Sequence, residues 1–180
     1  MLTINVPESD LWNEKTNEFI HIKACTINLE HSLVSISKWE SKWGKPFLSK
    51  TPKSTEEVID YIRCMTLTQN VDSNVYFGLG QKNMDIIDKY INSTMTATSI
   101  MEKKHSRGGN EIITSELIYY WMTVLNIPVE FQKWHLNRLL MLIRVCSAKS
   151  KPPEKYSQRE IMASNAALNA KRRKALNSSG

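Results

Sequence analysis

The possible folds are limited most by two dense apolar segments, EIITSELIYYWMTVLN (111–126) and PVEFQKWHLNRLLMLIRVC (128–146), separated by Ile127 alone. No apolar run in the chain reaches the ~20 residues of a membrane span, so protein has to cover both segments. Asn110 or Thr114 can cap the first helix, Asn126 closes it, and Pro128 suits the first position of the second. So short a link predicts an antiparallel or sharply angled helix pair. At about 100° per residue, the second segment gathers Glu130, Lys133, Asn137 and Arg144 into one polar stripe, with Trp134 and Met141 beside it. In the first segment, Tyr119, Tyr120, Trp121 and Met122 cover every direction. A helix apolar all round is either central in its domain or covered on a second side by a partner. A body of this size buries ~70% of its unfolded surface, which suits one central helix better than two. Two readings follow. Either both helices are core, or part of this surface, rich in the aromatics, Met and Arg enriched at interfaces, holds another chain. The candidate contact residues are Tyr119, Tyr120, Trp134, Arg138 and Met141.

The rest of the chain predicts an α+β fold. Leu2, Ile4 and Val6 alternate with polar residues up to Pro7, and EFIHI (18–22) and TINLE (26–30) are β-rich and alternating. The expectation is a small N-terminal antiparallel sheet with these last two strands as neighbours. Ser32 is an N-cap for LVSISKWESKW and Gly44 its C′ residue. Ser54 and Glu57 form a capping box opening a helix with Val58, Ile59, Ile62, Met65 and Leu67. Asp72–Gly80 and Asn83–Ile91 read as two short helices, and 92–110, rich in Ser, Thr and Gly, as a loop. The organisation predicted is a body over 1–148 (β-rich over 1–31, helical over 32–148) and a C-terminal helical tail over 149–180.

The net charge of +6 belongs to that tail. Residues 1–146 carry 16 basic and 16 acidic side chains; from Ser147 onward there are eight basic and two acidic. Pro152–Pro153 separates the two regions. Ser157 and Glu160 form a second capping box, and Ile161, Leu168 and Ala175 recur at steps of seven on an otherwise polar helix. A lone helix of this kind is marginal in water and is expected to order against a partner or a second copy. Lys171, Arg172, Arg173 and Lys174 admit three readings: a solvated tail, a phosphate contact, or docking on an acidic protein surface. Nucleic acid is disfavoured, because the body is neutral and no aromatic residue follows Tyr156 to stack on bases.

No phosphate loop, dinucleotide fingerprint, zinc-protease helix, nucleophile elbow or EF-hand loop is present. The four histidines are isolated, and His135 reads as a hydrogen-bonded structural residue. Cys25, Cys64 and Cys146, odd in number and far apart, read as reduced, buried small hydrophobes. The expectation is a non-enzyme with no cofactor and no metal. The start, MLTINVPESD, lacks the basic and then apolar regions of a signal peptide, so the chain is expected to stay in the cytosol where it is made.

Four segments together resemble one family: INLEHSLVSISKWESKWGKPFL (27–48), EEVIDYIRCMT (56–66), ITSELIYYWMTVLNIPVEFQKWHLNRLLMLIRVC (113–146) and SQREIMASNAALNAKRRKALNSSG (157–180). They are similar to the tail assembly chaperones of long-tailed (siphovirus-type) bacteriophages. The resemblance implies a protein of the host cytoplasm that binds the tape-measure protein and keeps it soluble until tail-tube protein polymerises around it. It also implies a longer product made by ribosomal frameshifting near the C-terminus, and no catalytic residues. The alternatives are a virion structural protein of the tail or head–tail connector, and a nucleic-acid-binding accessory protein acting through the tail.

Overall fold

The computed structural model describes residues 1–13, 17–98, 112–150 and 158–176. The chain divides into two units, Met1–Cys146 and Ser147–Gly180. The first is α+β, as the sequence predicts.

Its strands are β1 (Leu2–Val6), β2 (Ser9–Asn13), β3 (Glu18–Ile22) and β4 (Cys25–Leu29). Two of the expectations are corrected. There is not one sheet but two, each two-stranded, and β3 does not pair with β4. β4 pairs antiparallel with β1, and β3 with β2, a strand the sequence reading missed. A two-residue hairpin needs left-handed backbone in its turn, and the Lys23–Ala24 link between β3 and β4 carries neither Gly nor Asn. Asn17, just before β3, does adopt φ 52°. The period of two holds within the β1–β4 ladder. Ile4 opposes Ile27, and both are buried, as are Val6 and Leu29. On the other face, Thr3 donates to Asn28 Oδ1 and Thr26 to Asn5 Oδ1, both at 2.9 Å.

α1 (Leu33–Trp43) begins and ends as predicted. Ser32 Oγ accepts from the Ser35 amide, and Gly44 closes the helix at φ 62°, a conformation glycine takes without Cβ strain. α2 (Thr55–Met65) opens on the predicted Ser54–Glu57 capping box. It stops before Leu67, which is exposed and whose N–H pairs with the Asn28 carbonyl of β4 at 2.8 Å. The sheet edge thus competes successfully for the next backbone donor. Of the two short helices expected next, the first is a 3-10 turn (Ser73–Gly78) and the second is α3 (Gln81–Ile91). A Cβ on Gly78 would lie 3.0 Å from Ile22 Cδ1 and 3.1 Å from Val6 Cγ1, so glycine allows the turn to press against both sheets.

α4 (Ser115–Val124) is capped by Thr114. The second apolar helix is a correction. Pro128 does not start an α-helix; it precedes a 3-10 turn (Val129–Lys133) that ends at Trp134, which is extended at φ −69°, ψ 159°. Only at Leu136 does α5 (Leu136–Ser150) begin. The predicted stripe Glu130–Lys133–Asn137–Arg144 therefore does not exist as one face. Tertiary bonds hold the break open. Leu136 N–H donates to the His31 carbonyl at 2.7 Å, and His135 forms a bridge with Ser32.

α1 is the hub, packing on α2 and α4. Its Trp39 Nε1 donates to the Glu57 carbonyl at 2.9 Å, and Trp43 Nε1 to Asp60 Oδ2 at 2.9 Å. The buried Glu40 carboxylate accepts the Phe47 amide on one oxygen and the Ser115 amide, at the start of α4, on the other, each at 2.7 Å. The three cysteines are free and half-buried rather than buried. In the second unit, α6 (Gln158–Leu176) is the described element. Much of the loop expected over 92–110, the Pro152–Pro153 break and the Ser157 end of the second capping box lie outside the described residues.

Candidate interaction surface

Two places among the described residues bear on function. The first is interior. His31 and His135 are both buried, with ring centroids 5.1 Å apart and edge-to-face. His31 Nδ1 lies 2.5 Å from the Tyr61 hydroxyl, and Ser35 Oγ is 3.3 Å from the same oxygen. His135 Nε2 faces the Tyr90 carbonyl at 3.0 Å, while its Nδ1 faces the Asn137 amide at 3.3 Å. A carbonyl only accepts and an amide N–H only donates, so His135 is neutral with its proton on Nε2. Tyr90 in turn donates to Glu30 Oε1 at 2.6 Å. Burial, and then the neighbouring His135, lower the His31 pKa to about 3. Burial also lowers His135 and raises the Tyr61 phenol. The cluster ties the β4–α1 corner to the head of α5, a structural role of the kind expected for His135.

The second place is outside. α4 turns Ser115, Ile118 and Met122 into the core. Its outer face presents Tyr120, 62% exposed, and Val124, 57% exposed, one helical turn apart. Val129, on the turn that follows, is 56% exposed. Beside it the 3-10 turn stacks Phe131 on Trp134, with centroids 4.0 Å apart and planes 16° apart. The Arg138 guanidinium caps the other side of this stack, 4.1 Å from the Trp134 ring, within cation–π range. The Tyr119 hydroxyl donates to Gln132 Oε1 at 2.8 Å, tying α4 to the same turn.

The predicted contact residues therefore separate. Trp134, half-buried, and Arg138, exposed, come together as an aromatic–cation pair. Tyr120 lies fully on the outer surface. Tyr119 is a half-buried strut between α4 and the turn, and Met141 is half-buried on α5. Lys171, Arg172 and Arg173 are exposed along α6 of the second unit, and Lys174 lies on the same helix. Val124, Val129 and Phe131 are additions. The four-residue step from Tyr120 to Val124 was available in the sequence, but in a segment apolar on every side nothing marked which row faces outward.

Among the described residues, no group of three or more His, Cys, Asp or Glu side chains is placed to hold a metal ion, and no helix is long and apolar enough to cross a membrane. No family model, curated protein or solved structure matches the chain.

Proposed function

We propose that this protein is a non-catalytic assembly chaperone for the tail of a long-tailed bacteriophage, acting in the host cytoplasm on the tape-measure protein. The observation that carries this reading is the outward row of α4. Tyr120, Val124 and Val129 expose apolar surface, and Tyr119 ties the same helix to the turn that carries the Phe131–Trp134–Arg138 stack. Tyr, Trp and Arg are the side chains that most often anchor interfaces. A long, largely helical, apolar client offers rows of side chains at i, i+4 and i+7, and a helix face with matching rows can cover them. Sequence resemblance over 27–48, 56–66, 113–146 and 157–180 supplies the class of client.

The test is co-expression of the full chain with the tape-measure protein of the same phage. The tape-measure protein is expected in the soluble fraction, in complex with this chain, and in the pellet without it. The chain is also expected to be absent from purified virions. A tape-measure protein that is equally soluble alone, or virions carrying the chain in fixed copy number, would replace this reading with that of a structural component.

A further inference from the structure

A second surface stands apart from the α4 row. α2 and α3 leave between them a slot of about 290 Å³. Its walls include Val58, Met84, Ile87 and Ile91, and its rim carries Asp85 and Asp88, both exposed. Among the described residues the carboxylates have short local partners: Gln81 donates to Asp85 at 2.8 Å, and Asn92 to Asp88 at 3.1 Å. Among the described residues no Lys or Arg lines the slot, Lys82 and Lys89 of α3 lying outside its lining. A small slot walled mainly by apolar side chains can take one or two apolar side chains of a helix. The acidic rim selects a helix whose apolar residues have cations beside them.

The chain itself contains such a helix. On α6, Leu168 and Ala175 share one face, and Lys171 and Arg172 fall about 60° to one side of Leu168 and 40° to the other. Leu168 is 49% exposed, and Lys171 and Arg172 are exposed as well. The body as a whole is neutral and the tail region from Ser147 onward carries all of the +6, so the complementarity is local, between the Asp85–Asp88 rim and the cations beside Leu168.

We propose that the α2–α3 slot receives the basic C-terminal helix of a second copy of this chain, so that the protein self-associates by exchanging tails. In a two-fold dimer both contacts form at once, doubling the area one helix could bury. The interaction goes beyond the client-binding reading and uses none of its residues, so either can fail alone.

Sedimentation of the full chain over a range of concentrations, at low and high salt, tests this. A monomer–dimer equilibrium is expected, weakened by salt because the pairing charges are exposed. Asp85→Lys with Asp88→Lys should weaken association about tenfold, through lost attraction and new repulsion; Lys171→Glu with Arg172→Glu should do the same. An equimolar mixture of the two double variants should dimerise at wild-type strength, because every slot then meets a tail of opposite charge. That rescue also shows that neither variant has lost its fold. A chain that is monomeric at every concentration would overturn the proposal. So would a dimer indifferent to both double variants, or a mixture that fails to re-associate.

Discussion

His31 shows how much a single residue's surroundings can matter. Folded, it is neutral, with its pKa lowered to about 3; in the unfolded chain it returns to about 6.5. Below pH 6.5 the unfolded state therefore binds more protons than the folded one. Stability is fully present above that pH and falls as pH drops toward 3, by ~1.4 kcal/mol per pH unit for this one group. His135 adds to the loss in the same direction. Urea unfolding measured between pH 7 and 4.5 should show this slope, and His31→Gln should flatten it. An unchanged slope would mean that His31 is not the group being titrated. Glu40 makes a second residue-scale case. It is the acceptor for a buried and a part-buried amide from different segments, so Glu40→Ala strands both. The expected cost is ~3 kcal/mol in chemical denaturation, against the few tenths typical of a surface carboxylate. Neither role could be read from the sequence. Glu30–His31 and Glu40 look ordinary there, because the Tyr61, Tyr90, His135 and Ser115 groups that define them are remote along the chain.

Elements were legible where local rules decide them. Ser32 and Ser54 cap the helices expected of them, Thr114 is the one of the two candidates that caps α4, and Gly44 ends α1 as a left-handed residue, because these signals act over three or four residues. Legibility failed where distant backbone intervened. The β-ladder takes Leu67 out of α2, and the His31 carbonyl takes the first amide of α5. An apolar period computed across Trp134 ran through a break that it could not register. β2 escaped notice because Ser9–Asn13 has only two apolar residues to alternate. The link between α4 and the 3-10 turn depends on Asn126, at φ 51°, a conformation that penalises most side chains by about 1–2 kcal/mol. Asn126→Ala should lower stability by ~1 kcal/mol, whereas Asn126→Gly should leave it within about half of that. Equal effects of the two substitutions in thermal unfolding would show that backbone strain is not what Asn126 relieves.

At the scale of the whole molecule, the sequence located the charge but not the exposed face. The neutral body and the +6 tail follow from counting. Whether 111–146 was core or interface did not, since the composition is apolar either way. The structure divides the question within α4 itself: Ile118 and Met122 inward, Tyr120 and Val124 outward. The central claim is that this outward row holds a client chain. The most direct measurement is the amount of tape-measure protein retained in solution, and recovered in complex, on co-expression with Tyr120→Asp plus Val124→Asp. Both positions are exposed, so the variant should keep its unfolding free energy within ~1 kcal/mol of wild type. The account predicts that it loses the client, with affinity down at least about tenfold. A folded double variant that holds the tape-measure protein as well as wild type does would contradict it.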